Sequence, residues 1–354
     1  TSVETRFSKS GARRRRAMRR NAGLPNDGLP APPAVAAVEG SKARPFKRRI
    51  VRGSRVRANG PVMTERRAAW LFLAPALIVI GAFFLLPVLA AFALSLTDFD
   101  LYALADLSNL RFVGFGNYLE ILRTPLFWKS LLNTLYFVGA GVPLSIAASL
   151  GAALLLDSKL ARCRGLFRTA LFAPVVTTVV AVAVIWRYLL HTRYGLVNYA
   201  LAQLGIAPVD WLGDPHWSMP AIILFAVWKN FGYNMIILLA ALQGIPGELY
   251  EAARIDGATA WQRLRHVTLP MLRPALLLVA VITVSGYFQL FAEPYVMTQG
   301  DPLQSTVSVL YFMYDEGFKW WSLGRASAIA FLLFVLILAA TGALLRIGRR
   351  ADAA

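Results

Sequence analysis

Long apolar runs dominate the pattern of the chain from residue 68 onwards. Six of them approach or exceed 20 residues, at 68–96, 131–156, 167–190, 219–242, 275–292 and 326–345. A helix of about 20 apolar residues crosses the hydrocarbon layer of a bilayer. Pro and Gly interrupt several runs, and membrane helices tolerate them where neighbouring helices satisfy the freed backbone groups. The pattern predicts an all-α polytopic membrane protein with about six transmembrane helices.

Charge changes this picture at one end of the chain. The protein has 354 residues, of which 57% are hydrophobic and 16% charged, and its net charge is +18. Residues 1–62 hold 16 Lys and Arg against 3 Asp and Glu, so this tail carries +13 and the other 292 residues carry +5. Such a tail is predicted to be disordered and to be attracted to anionic lipid headgroups. Because the basic excess is confined to it, we expect no nucleic-acid partner.

The basic tail has a second interpretation. The chain as given does not begin with Met, and Met63 stands shortly before the first apolar run. We therefore expect either a disordered tail over residues 1–62 or a protein that starts at Met63. A membrane domain over 66–346 and a short cytoplasmic C-terminal tail over 347–354 complete the predicted organisation.

Residues that could carry covalent or metal chemistry are few. Cys163 is the single cysteine, which excludes an intrachain disulfide and a cysteine-based metal cluster. The 3 histidines lie far apart without metal-ligand spacing. The sequence also lacks the Gly-x-x-x-x-Gly-Lys-Ser/Thr pattern that binds nucleotide phosphates. We expect no metal, no cofactor bound by this chain and no enzyme activity, ATP hydrolysis included.

Lys and Arg are distributed unevenly between the connections. They are dense before the first run, between the second and third, between the fourth and fifth, and after the sixth. Positive residues favour the cytoplasmic side of a membrane. Both termini and the connection at 244–273 are therefore predicted to be cytoplasmic.

The 244–270 segment, which precedes the fifth run, carries signals for two short helices. Gly257 suits a helix stop at which the backbone turns left-handed. Thr259 begins a second helix and forms a capping box with the Gln three positions on. Pro270 is predicted to end that helix before the fifth span. The result is a rigid helix–turn–helix at the membrane surface.

The same segment carries a specific sequence pattern. Its residues are Glu251, Ala252, Ala253, Asp256, Gly257, Leu269 and Pro270. This pattern resembles the EAA loop of binding-protein-dependent ABC importer permeases, with Val267 where that family usually has Ile. The resemblance implies a type I importer transmembrane domain in which the loop forms a cytoplasmic coupling helix that docks on a separate ATP-binding subunit.

Two further stretches narrow the resemblance to sugar importers. Residues 112–118 and 295–302 are similar to segments of the maltose-, lactose- and glycerol-3-phosphate-type permeases, although Gln299 and Asp301 stand where that group has glycines. The resemblance implies the first permease of a heterodimeric pair in a bacterial inner membrane. It also implies a second permease, two ATP-binding subunits, an extracytoplasmic solute-binding protein and a sugar substrate.

Two alternatives to a sugar permease stay open. One is a permease of the same architecture for a polyamine, phosphate or an amino acid. The other is a membrane enzyme or a passive channel, which predicts an acid–base pair or a ring of pore-lining charges. The sequence shows neither of those features.

Polar side chains inside the fourth and fifth runs are candidates for a substrate site, because such groups are costly in a membrane. The runs offer Trp228, Lys229, Asn230, Tyr233, Asn234, Thr283, Ser285, Tyr287, Gln289 and Glu293. Aromatic faces suit the C–H surfaces of sugars, and amides and hydroxyls suit their hydroxyl groups. In maltose-type permeases the corresponding stretches line the sugar site, which favours Tyr233, Asn230, Tyr287, Thr283 and Gln289. Interhelical hydrogen bonding is the alternative role, above all for Ser285 and Thr283. For Lys229, the alternative roles are pairing with Glu293 and extension towards the membrane surface.

Overall fold

The computed structural model of the protein describes residues 65–158 and 163–352, so the predicted tail over 1–62 lies outside the described residues. The described part is built of helices, with one isolated backbone bridge between Thr97 and Phe112. The α-helices are α1 (Glu65–Ile80), α2 (Leu86–Ser95), α3 (Leu101–Ala105), α4 (Gly116–Arg123), α5 (Pro125–Asp157), α6 (Arg164–Val176), α7 (Val179–Leu189), α8 (Leu196–Gln203), α9 (Pro215–Gln243), α10 (Gly247–Ile255), α11 (Ala260–Arg263), α12 (Leu269–Phe288), α13 (Ala292–Met297), α14 (Val309–Tyr314) and α15 (Leu323–Asp352). Wider π-helical turns join α1 to α2, α11 to α12, and follow α14.

Within the described residues, five continuous helices are long and apolar enough to cross a membrane, and one bent pair raises the number to six. The continuous ones are Ala69–Ser95, Pro125–Asp157, Pro215–Gln243, Ala260–Phe288 and Leu323–Arg349. The predicted all-α fold with about six spans is therefore confirmed. Two of the six spans nevertheless differ in shape from the prediction.

The third span is broken, whereas the sequence predicted one helix over 167–190. Helices α6 and α7 meet at an angle of 100°. Pro174 lies in the last turn of α6, and Thr177 beyond it is extended, with φ −72° and ψ 152°. The Thr177 hydroxyl donates to the Pro174 carbonyl at 2.6 Å. Because that side chain satisfies a carbonyl at the helix end, the chain can leave the helix inside the membrane.

The fifth span begins earlier and ends earlier than the predicted 275–292. Helices α11 and α12 are continuous through the π-turn Leu264–Thr268, so the prediction that Pro270 ends the second helix is wrong. The N–H of Leu269 reaches back five residues to the Leu264 carbonyl. This wider turn accommodates a proline, which lacks an N–H and crowds the carbonyl four residues before it. The span therefore continues the loop helix without a break.

The core is formed where α5, α9 and α12 meet. Small residues permit the close contacts, as membrane helix interfaces require. A methyl group at Gly141 would lie 2.8 Å from a ring carbon of Tyr287, and one at Gly232 would lie 2.4 Å from the Leu171 carbonyl oxygen. The hydroxyl of Ser149 donates across the interface to the Phe231 carbonyl at 3.0 Å. These contacts hold α5, α6, α9 and α12 close around a shared space.

The loop between α13 and α14 uses left-handed backbone where glycine was expected. Gln299 has φ +56°, and Leu303 and Gln304 have φ +51° and +59°. Hydrogen bonds tie the loop to the N-terminal part of α5, since the Asn133 amide donates to the carbonyls of Gln304 and Val307, each at 2.9 Å. The left-handed turn at Gln299 therefore persists although its side chain disfavours it.

We expect Gln299→Gly to stabilise the protein by about 0.5–1 kcal/mol. A non-glycine residue in this conformation costs about 1–2 kcal/mol, and the greater freedom of glycine in the unfolded chain offsets part of the gain. Thermal unfolding of the purified protein measures the change. Gly300→Ala is the matched control with the opposite sign, because Gly300 has φ +89° and an added methyl would lie 2.9 Å from Val307. A lower unfolding temperature for Gln299→Gly would contradict the assignment of strain.

Candidate functional site

The 244–270 segment folds into the two short helices that its sequence predicts. Pro246 is the N-cap of α10, and Glu248 lies in its first turn. Gly257 has φ +77°, as the predicted left-handed stop requires. The N–H of Ala258 donates to the Ala253 carbonyl at 2.9 Å, which closes the end of α10. Glycine is thus required at position 257 by the backbone itself.

The second helix of the segment is fixed at its start and against the first. Thr259 and Gln262 form the predicted capping box, with each side chain bonded to the other residue's backbone N–H. The Arg263 guanidinium donates to the Ala258 carbonyl at 2.7 Å. The hydroxyls of Tyr250 and Thr268 lie 3.0 Å apart and join α10 to the π-turn. The segment is therefore braced by hydrogen bonds and is continuous with the fifth span.

The residues of the EAA-like pattern lie on or beside the open surface of this unit. Glu251, Ala252 and Asp256 are exposed, as is Gly257. The remaining three, Ala253, Leu269 and Pro270, are half-buried. Two large apolar side chains accompany them, with Ile255 86% exposed and Trp261 67% exposed. Large exposed apolar side chains surrounded by polar and charged residues are typical of a protein-docking site.

A second feature is a cavity of about 330 Å³ between the helices of the fourth and fifth spans. Its lining residues are Phe137, Val175, Ala226, Asn230, Tyr233, Asn234, Ile282, Thr283, Gly286, Tyr287, Gln289, Leu290 and Glu293. All five residues that the sequence singled out as substrate candidates lie on this one lining. The structure therefore brings the predicted set together in space, although it comes from two spans.

The polar groups of the lining differ in the hydrogen bonds that they already make within the protein. The Asn234 amide donates to the Thr283 hydroxyl at 2.9 Å, which is the interhelical role weighed for Thr283. The amides of Asn230 and Gln289 donate to backbone carbonyls of their own helices, at 3.0 Å and 2.9 Å. Each of these amides keeps an oxygen that can accept a further bond.

The hydroxyl of Tyr287 is a buried atom of the lining that lacks a hydrogen-bond partner among the described residues. Ser145 and Asn230 are its polar neighbours. Buried polar atoms are nearly always paired in folded proteins. A hydroxyl-rich ligand in the cavity would supply the missing partner. Tyr233 is 47% exposed and offers an open ring face beside it.

Lys229 does not take either role expected for it. Only 7% of the residue is exposed, and none of the ion pairs within 4.0 Å between described residues joins it to Glu293. Its ammonium group instead donates to the Val175 carbonyl at 3.1 Å, at the last turn of α6. A cation at a helix C-terminus is favourable, because the last carbonyls lack partners. Lys229 thereby holds the break of the third span, whose Val175 forms part of the cavity wall.

We expect Lys229→Met to lower the free energy of unfolding by about 1–3 kcal/mol, because the substitution leaves the partly buried Val175 carbonyl without its donor. Thermal unfolding of the purified protein measures the change. Lys229→Arg keeps a cationic donor and should restore part of the loss. Lys319→Met removes an exposed lysine and is the matched control. An unchanged unfolding temperature in Lys229→Met would show that the break of the third span does not depend on this bond.

Cavity-lining residues from the second and third spans were not predicted from the sequence. Phe137 belongs to the second span and Val175 to the third, and no polar group marks either of them. Gly286 could not be identified as a lining residue from the sequence, since a glycine in an apolar run can also serve helix packing. The signal for Asn234 and Glu293 was present, because both are polar residues in the two candidate runs.

Comparisons with a family model and with curated proteins agree on one family. The model of the binding-protein-dependent transport system inner membrane component matches residues 113–352. The lactose transport system permease protein LacF of Rhizobium radiobacter is 37% identical over 273 residues, which is 76% of this chain and 89% of that protein. The trehalose/maltose transport system permease protein MalF of Thermococcus litoralis is 36% identical over 285 residues, covering 80% and 95%.

A solved structure agrees in fold. It is a chain of a bacterial ABC transporter involved in the import of the acidic polysaccharide alginate, with a TM-score of 0.67 and 24% identity over 80% of this chain and 95% of that one. At this identity the likeness concerns the fold alone. The coverage of the family model and the identity to the two permeases confirm the resemblance inferred from the 244–270 segment. The chain belongs to the family of binding-protein-dependent transport system inner membrane components.

Proposed function

We propose that this chain is the permease subunit of an ATP-driven saccharide importer and forms half of its translocation pathway. The observation that carries the proposal is the cavity, where aromatic rings, amides and hydroxyls from two spans meet. Tyr233 and Tyr287 supply ring faces for the C–H surfaces of a sugar. Asn230 and Gln289 supply amide oxygens for its hydroxyls. The lactose and trehalose/maltose permeases named above support a saccharide over a polyamine, phosphate or an amino acid.

The 244–270 segment is the proposed site at which a separate ATP-binding subunit drives this chain. Its exposed surface carries Glu251, Ile255 and Trp261, and its sequence is of the EAA type. The chain has no nucleotide-binding pattern of its own. ATP hydrolysis is therefore assigned to two partner subunits. A second permease completes the membrane part, and an extracytoplasmic binding protein delivers the sugar.

The orientation of the chain follows from its charges. The connections that precede the first and fifth spans and follow the sixth are the richer in Lys and Arg. Both termini and the 244–270 segment accordingly lie in the cytoplasm of a bacterial inner membrane. The segment would then face the compartment that holds ATP.

The proposed mechanism uses the continuity of α11 with α12. Because the fifth span begins at Ala260, a push on the docked segment moves that span as a lever. The inner wall of the same span carries Thr283 and Tyr287, so the cavity changes shape when the segment moves. Such coupling of a partner's closure to alternating access follows the general scheme of rigid-body rocking around a central site. This chain performs no covalent step.

Uptake by the complete transporter in proteoliposomes tests the function. The panel contains labelled neutral saccharides, a polyamine, phosphate and an amino acid, each with and without ATP inside the cytoplasm-equivalent compartment. We expect ATP-dependent uptake of at least one saccharide and of none of the other solutes. ATP-dependent uptake of the polyamine, phosphate or amino acid, without any saccharide, would overturn the saccharide assignment. Uptake without any ATP-binding subunit would overturn the coupling.

A further inference from the structure

The cavity lining carries an acidic side chain and no basic one among the described residues. Among the described residues that line it, none is Lys, Arg or His, and Glu293 is the single acid. The remaining polar groups are neutral amides and hydroxyls. Glu293 adds no positive charge in either protonation state. From this chain, a ligand in the cavity therefore meets neutral hydrogen-bonding groups and one carboxyl group.

A buried cation, Lys229, lies behind the cavity wall and already makes a hydrogen bond. Lys229 is not part of the lining, and its ammonium group is bonded to the Val175 carbonyl. A ligand carboxylate would have to displace that bond and the wall residue to reach it. The cation stabilises the break of the third span and is not presented to the cavity.

We infer that this cavity accepts uncharged saccharides and discriminates against acidic ones such as uronic acids. A carboxylate is ionised at neutral pH and loses its hydration when it enters a membrane cavity. That loss is recovered only where a cation or several donors face the anion. This lining offers no cation, and an ionised Glu293 would repel the ligand. The inference rests on the proposed saccharide function and sets the charge class of its substrate.

The fold does not impose this selectivity. A chain of the same fold belongs to an importer of the acidic polysaccharide alginate. The discrimination inferred here is therefore a property of the side chains that line this cavity. It can be altered by substitution at the lining without a change of architecture.

Binding to the complete permease–ATPase complex in nanodiscs, without the extracytoplasmic binding protein, isolates the cavity. The probes are the neutral disaccharides lactose, maltose and trehalose, and aldobiuronic acids in which one CH₂OH group is oxidised to a carboxylate. We expect at least one neutral disaccharide to bind, and the acids to bind at least tenfold more weakly, by titration calorimetry. Equal or tighter binding of the acids overturns the inference and leaves the saccharide function standing. Binding of neither series overturns the proposed function and the inference with it.

A charge introduced at the rim supplies the second arm. Gln289 is exposed at the outer end of α12, so a substitution there perturbs packing little. Gln289→Lys adds a cation, and Gln289→Met is the matched uncharged control of similar length. The readout is the ratio of acidic to neutral affinity, because both variants also remove an amide from the lining. We expect the ratio to rise at least tenfold in Gln289→Lys relative to Gln289→Met, and an unchanged ratio overturns the inference.

Discussion

Uptake is expected to fall to background when Gly257 is replaced by proline. Gly257 has φ +77°, whereas the proline ring fixes φ near −65°. The substitution also removes the Gly257 N–H, which donates to the Arg254 carbonyl at 3.1 Å. Both changes break the turn that sets the angle between α10 and α11. A docking surface made of two helices loses its shape when that angle changes, so assembly with the ATP-binding subunits should fail.

The effect is measured as ATP-dependent uptake and as the amount of ATP-binding subunit that co-purifies with the chain. Gly247→Ala is the matched control in the same segment, since Gly247 has no positive φ and an added methyl meets nothing within 4 Å. Membrane insertion should persist in both variants, because α9 and α12 are unchanged. Full uptake in Gly257→Pro would exclude the 244–270 segment as the coupling element.

Transport is expected to fall at least tenfold in Tyr233→Ala, with the complex still assembled. Tyr233 lines the cavity and is 47% exposed, so its ring and hydroxyl face open space more than packed neighbours. Truncation therefore removes a ligand contact and leaves no large void in the core. Loss of an aromatic contact and a hydrogen bond together accounts for about 1.5–3 kcal/mol, which corresponds to a tenfold loss or more.

The measurement is the uptake rate across a range of saccharide concentrations, beside the yield of intact complex. Tyr136→Ala is the matched control, because Tyr136 is 51% exposed on α5 and is not part of the cavity lining. We expect near-normal uptake in the control. If Tyr233→Ala transports as the parent protein does, the cavity is not the place where substrate binds.

Local signals in the sequence predicted much of the 244–270 segment. The left-handed stop at Gly257 and the capping box at Thr259 depend on a few neighbouring residues, and both are present as expected. The apolar runs likewise located the five continuous spans and the bent pair, because crossing a bilayer requires an apolar run of a set length. Each of these features depends on residues within one short stretch of the chain.

Features that depend on contacts between distant segments were not predictable in the same way. The break of the third span relies on Thr177 and on Lys229, which approaches from the fourth span. Continuation of the helix through Pro270 depends on a wider turn that a proline alone does not announce. The cavity was predicted as polar groups on two spans, but its apolar walls, Phe137 and Val175, come from two others.

The most direct test of the central claim is a photo-crosslink from the 244–270 segment to the ATP-binding subunit. Cys163 is exposed and is first changed to Ser, so that an introduced thiol is the single attachment point. Ile255→Cys places the probe on a side chain position that is 86% exposed, and Phe318→Cys, 62% exposed beyond the fifth span, is the control. We predict a crosslinked band with the ATP-binding subunit from position 255 and none from position 318. A crosslink from position 318, or none from position 255 in an assembled complex, would contradict the account.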